Sequence, residues 1–212
     1  MRIMETILAI IVLFFSVIVH EVAHGYTALK LGDDTAYVMG RLTLNPVPHI
    51  DPFGTIILPL ILILTGSPLV IGWAKPVPVN PFNFVYPRKD FAKVGAAGPL
   101  SNLTLALLSS LILLGLNLLR VSHSFPLIVL LFKYGIFINV LLAIFNLIPI
   151  PPLDGSRILS GILSAEKAYQ YERMFRMGPF FIFIILIVLW PYILKLTYFI
   201  SGFFFSIANI GM

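Results

Sequence analysis

Residues 3–24 read IMETILAIIVLFFSVIVHEVAH, an apolar run broken only by Glu5, Thr6 and Ser16 that ends in His20-Glu21-Val22-Ala23-His24. A run of this length matches the roughly 17–25 residues that a helix needs to cross a bilayer. On a helix, positions i and i+4 share a face, so both imidazoles can reach one metal ion. Glu21 sits one position after the first of them, where a carboxylate can take a proton from metal-bound water. Ionisable groups are costly at membrane depth, so their presence there points to function.

Composition extends the membrane reading to the whole chain. Of 212 residues, 59% are hydrophobic and 11% charged, and mean hydropathy is +1.01; soluble domains carry about 25% charged residues. The length accommodates several spans of about 20 residues with loops, so a single membrane domain over 1–212 is expected. The net charge of +5 comes from Lys and Arg spread thinly over loops. That pattern suits membrane topology and anionic headgroups, not nucleic acid. With no Cys, a zinc site must be built from His and carboxylate. No small-residue cleavage site follows the first apolar run, which is therefore expected to be retained.

The fold class expected is an α-helical polytopic membrane protein with about four to six hydrophobic segments. The first block continues as helix over 3–30. A second apolar block covers 53–73, and further spans are expected at about 95–119, 127–149 and 178–200. The last lies in a 178–212 stretch interrupted by Pro191 and Lys195, which reads as one segment or two. Between the blocks, Tyr37–Leu44 and Val77–Asn80 read as short β-like runs. Thr65-Gly66-Ser67-Pro68 places a turn signal inside the second block, which then either crosses or re-enters.

Two His and a carboxylate make a catalytic zinc site, and the chain has only nine acidic residues in which to find the third ligand. Glu5 is too far along the first helix; Asp33, Asp34, Asp51 and Asp90 lie in polar loops; Glu166 and Glu172 lie on an amphipathic segment. Asp154 follows an apolar span in Phe145-Asn146-Leu147-Ile148-Pro149-Ile150-Pro151-Pro152-Leu153-Asp154-Gly155. The prolines stop the helix and force an extended path, and Gly155 permits close backbone approach. Asp154 is the expected third ligand.

HEVAH, GPLSN (Gly98–Asn102) and FNLIPIPPLDG (Phe145–Gly155), in that order on three hydrophobic segments, resemble the site-2 protease family of intramembrane zinc metalloproteases. The likeness is to its small microbial type, without a PDZ domain, and spans residues 20–155. It implies one Zn2+ held by His20, His24 and Asp154, with Glu21 as the catalytic base. It further implies that Asn146 helps to hold the substrate or the developing oxyanion. Asn102 is read as a second substrate- or ligand-orienting residue, with a bond across helices as the alternative. The implied partners are transmembrane or membrane-tethered protein substrates and the lipid bilayer, in the cell membrane of a prokaryote. His49 reads as a turn-fixing loop residue and His123 as solvent-facing.

A shared zinc also constrains topology. HEVAH lies towards the end of the first span and Asp154 just past the fourth block, so those ends must meet on one face. They do so only if 53–73 re-enters. Ten of the 14 Lys and Arg then fall on the active-site face, which orients it towards the cytoplasm. Two other readings compete: a membrane zincin with a Glu ligand, whose helix is absent, and a non-proteolytic transporter or metal-binding scaffold. A transporter predicts paired repeats, and none is seen.

Overall fold

The computed structural model describes residues 2–65, 72–174 and 179–209. In chain order it runs α1 (Arg2–Lys30), α2 (Thr35–Val38), α3 (Leu58–Leu64), α4 (Pro87–Leu118), α5 (Pro126–Asn146), α6 (Asp154–Ile162), α7 (Ala165–Met174) and α8 (Pro179–Ile207). Four of these helices, α1, α4, α5 and α8, are long and apolar enough to span a membrane, and α4 packs against all three others. The final block is therefore one helix that carries Pro191 inside it. α4 begins eight residues before the expected 95, because Pro87 supplies a pre-set first-turn residue.

Among lipid tails there is little hydrophobic drive between helices, so close packing and interhelical hydrogen bonds hold the bundle together. Leu113 of α4, Ile136 and Val140 of α5 and Ile193 of α8 share one buried cluster. Ser110 Oγ donates to the Phe204 carbonyl at 2.6 Å and Asn117 Nδ2 to the Ala208 carbonyl at 2.9 Å, pinning α4 to α8. Each such bond contributes on the order of 1 kcal/mol.

The described ends of the second apolar block lie together. A six-residue π-helical stretch, Pro52–Ile57, leads into the seven residues of α3. Together they rise about 20 Å at about 1.5 Å per residue, well short of a hydrocarbon core of about 30 Å. The chain then returns to its starting point: Trp73 N–H donates to the Gly54 carbonyl at 3.1 Å, and Thr55 Oγ1 donates to the Trp73 carbonyl at 2.7 Å. A Cβ at Gly54 would lie 2.2 Å from the Trp73 indole, so only glycine permits this closure. Of the expected Thr65–Pro68 turn, Gly66, Ser67 and Pro68 lie outside the described residues.

The β-like expectation needs correction, since no strand forms among the described residues. Tyr37 and Val38 end the short helix α2 instead. Asp33 Oδ1 accepts from both the amide and the hydroxyl of Thr35, which starts that helix, and Gly40 at φ +64° turns the chain out of it. Val77–Asn80 is extended but unpaired as a strand. Pro76 and Pro78 have no amide hydrogen to give a ladder, and the Val77 amide is spent on Glu21 at 2.8 Å.

Residues 73–80 thus form a strap over the end of α1, fixed at both ends. Arg41 Nη2 donates to the carbonyls of Lys75 and Pro76 at 2.8 and 3.2 Å. Buried Asp33 accepts from the Asn80 amide and the Asn83 side chain, each at 2.7 Å. Burial alone would raise the Asp33 carboxyl, but the hydrogen bonds from Thr35, Asn80 and Asn83 outweigh it and hold it below its ordinary 3.8. A depressed carboxyl stabilises the fold above its unfolded value, and that contribution is lost as pH falls through the folded one. In zinc-free protein, Asp33→Asn should be less stable than wild type at pH 7 by about 2 kcal/mol. Thermal unfolding in detergent should show this gap closing as pH drops below about 3.8; a pH-independent gap would contradict it.

Candidate metal centre

The last turns of α1 carry both imidazoles inward: His20 is 7% and His24 4% exposed, and Asp154 is 5% exposed. The ligating atoms converge. His20 Nε2 and His24 Nε2 are 3.0 Å apart, and each is 3.1 Å from Asp154 Oδ2. Among the described residues this trio is the one group of His, Cys, Asp and Glu placed to share an ion. Ligands of a tetrahedral zinc bound at about 2.0–2.1 Å stand roughly 3.3 Å apart, so the spacing fits.

The donor chemistry fits as well. His24 Nδ1 lies 2.7 Å from the Val94 carbonyl, which can only accept, so the ring proton is there and Nε2 presents a lone pair. His20 Nδ1 is likewise occupied, by Asn102 Oδ1 at 2.6 Å. Two imidazole lone pairs and a carboxylate oxygen then point at one spot. They repel unless extra protons or a cation lie between them, and a metal that binds there displaces those protons. Burial would push the Asp154 carboxyl up, but when those extra protons sit on the imidazoles their hydrogen bonds and charge outweigh it and hold it well below the usual carboxylate range.

α4 comes close enough to roof the site. A Cβ at Gly98 would stand 2.4 Å from His24 Nε2 and 2.5 Å from His20 Nε2. One turn on, Asn102 reaches His20, so Gly98 and Asn102 of the GPLSN stretch serve one face. α6 is drawn in by the same device: a Cβ at Gly155 would lie 2.2 Å from the Leu147 carbonyl, and one at Gly161 2.3 Å from Ala92. This sets Asp154 in the first turn of α6, where the helix dipole favours an anion.

Sequence-expected residues divide accordingly. His20, His24 and Asp154 meet at one point. Glu21 lies beside them, half-buried, with Oε2 accepting from the Val77 amide. Asn102, expected to orient a ligand or substrate or to bond across helices, is fully buried and bonded to His20, Asn139 and Ser16. Asn146 donates to the Leu142 carbonyl one turn back and to no residue of the trio. His49 is a buried loop residue on the Thr43 carbonyl, and His123 is exposed. Arg157 approaches Asp154 Oδ1 at 3.4 Å while lying over the Phe91 ring. Sequence reading passed over Asn139, one Asn among apolar neighbours with no motif around it.

A bundle of membrane-spanning helices with a buried two-His, one-Asp centre defines an integral membrane protein of the zinc metalloenzyme class. Comparison with known proteins narrows this. The family model of peptidase family M50 matches residues 121–190. YwhC of Bacillus subtilis, a presumptive zinc metalloprotease, is 40% identical over 86% of this chain and 84% of its own. Rip2 of Mycolicibacterium smegmatis, also a presumptive zinc metalloprotease, is 28% identical over 92% of this chain and 72% of its own. The zinc metalloprotease MJ0392 of Methanocaldococcus jannaschii is 28% identical over 75% of this chain and 35% of its own. No solved structure matches. The chain belongs to peptidase family M50, the site-2 protease family, and is a zinc metalloprotease.

The roof makes a sharp prediction. Gly98→Ala favours the helix but fills the space the imidazoles occupy. Elemental analysis of the purified variant should find well under half the zinc of wild type; an equal zinc content would show that α4 can back away.

Proposed function

We propose that this enzyme cleaves peptide bonds within or near transmembrane segments of other membrane proteins, with zinc on His20, His24 and Asp154 and with Glu21 as general base. The observation that carries it is the convergence of three buried donor atoms at the end of a membrane-spanning helix, with Glu21 alongside. When bound, zinc supplies a water acidified towards a pKa of about 7 and a Lewis acid for the scissile carbonyl. Glu21 takes the water's proton and delivers it to the leaving amine. Its Oε2 is held by the Val77 amide, and Oε1 has no hydrogen-bond partner among the described residues, so Oε1 is the oxygen that carries the proton. Holding one oxygen keeps the other aimed.

A peptide in a transmembrane helix has its carbonyls already hydrogen-bonded, so it must be locally unwound before attack. Recognition by strand addition to the strap is supported by Pro76 and Pro78, which bias the residues before them towards extended backbone. Val77 is spent on Glu21, which leaves Val79 as the amide on offer. Proline at Val79 should therefore impair cleavage of an intact transmembrane substrate more than that of an already extended peptide; equal effects would remove the strap from recognition. Asn146, at the end of α5 ahead of the Asp154 loop, is the residue assigned to hold substrate or oxyanion.

The ends of α1 and α5 share one face, and that face carries most of the Lys and Arg. It is therefore the cytoplasmic face of a prokaryotic cell membrane, with the N-terminus outside. The absence of Cys makes single-cysteine probes clean: residues introduced at Lys30 and Arg88 should label from the same side, and labelling from opposite sides would overturn the topology. For the chemistry, Glu21→Gln should retain zinc and lose at least about 1000-fold in cleavage of a model transmembrane substrate, as loss of a general base requires. Cleavage equal to wild type would refute the role of Glu21.

A further inference from the structure

Behind His20 lies a buried chain of amides whose polarity runs one way. Asn139, in α5 and 2% exposed, donates from Nδ2 to the Gly135 carbonyl at 2.8 Å and to Ser16 Oγ at 2.9 Å. A backbone carbonyl can only accept, so the Asn139 amide cannot be turned round without setting oxygen against oxygen. Its Oδ1 must therefore face Asn102, whose Nδ2 donates to it at 2.8 Å and to the Ser16 carbonyl at 3.4 Å. That leaves Asn102 Oδ1 towards His20 Nδ1 at 2.6 Å, an acceptor that requires the ring proton on Nδ1. The lone pair is then on Nε2, the atom directed at Asp154 and His24.

We propose that Asn139 is a positioning residue for the metal centre: by fixing the amide of Asn102 it selects the His20 tautomer that presents Nε2 to zinc. The inference rests on His20 being a zinc ligand. Asn139 touches neither metal nor substrate and acts only through Asn102. A flipped Asn102 would offer N–H to Nδ1, place the ring proton on Nε2 and block the ligating atom. Asn102 and Asn139 are 0% and 2% exposed, and the low dielectric of such burial strengthens the bonds that hold them.

The mechanism separates polarity from packing. An aspartate at 102 presents oxygen to His20 whichever way it turns, so it needs no orienting partner; its other oxygen then meets Asn139 Oδ1, acceptor against acceptor, a repulsion that Asn139→Leu removes. The test measures zinc affinity by competition with a chromophoric chelator, using full-length chain in detergent. Wild type, Asn139→Leu, Asn102→Asp, the double variant and His20→Ala are compared. Second-shell losses usually cost about 10–100-fold in metal affinity, so Asn139→Leu should weaken zinc binding by about tenfold or more. Adding Asn139→Leu to Asn102→Asp should cause no further loss of zinc affinity, because an aspartate at 102 needs no orienting partner.

An equal loss from Asn139→Leu in both backgrounds would make the residue a packing element and overturn the proposal, as would no loss in either. Where Asn139→Leu does not fold, Asn139→Ala is compared in the same two backgrounds with the same expectations. His20→Ala separates the two levels. If it binds zinc normally, the ligand assignment itself is wrong; if it loses zinc while Asn139→Leu does not, only the orienting role fails.

Discussion

Three electron-pair donors pointed at one spot inside a membrane protein are unstable by themselves, and the rest of this architecture accommodates that arrangement. His20 and His24 come from one helix, but Asp154 is 130 residues further on than His24. Bringing it back requires the ends of α1 and α5 to lie on one face, and hence an even number of crossings between them. The return of Trp73 to Gly54 is in keeping with this requirement. Glycines at 98, 155 and 161 then let α4 and α6 close on the site to distances that any side chain would forbid.

Much of this was legible from residues. The i, i+4 pair and the proline-broken LDG stretch carry their own physics, because ligand spacing and helix breaking are local properties. The return of the chain from Gly54 to Trp73 is in keeping with a different kind of reading: a 13-residue helical path is not visible in a 21-residue apolar block, but the demand that two ends meet argues for re-entry. The strap and α2 were misread for an instructive reason. Tyr37–Leu44 has β-like composition, yet Asp33 accepts from Thr35 where a short helix begins, and the proline pair at 76 and 78 deprives the strap of amides a sheet would need.

Asn102 and Asn139 show where single-residue reading stops. Each is an unremarkable amide on an apolar helix, and what gives it meaning is the direction of its partner's dipole across the bundle. That direction is set by tertiary contact between α1, α4 and α5, which no spacing rule encodes. In a membrane interior such polar residues must be satisfied to be tolerated, and here satisfaction and ligand orientation are achieved by the same bonds.

Gly54 and Thr55 grip Trp73, the residue from which the strap begins, and four residues later the strap's Val77 holds Glu21. The helical stretch Pro52–Leu64 is thereby tied at its base to the peptide that steadies the Glu21 carboxylate, so a displacement of that stretch reaches Glu21 through covalent chain and hydrogen bonds.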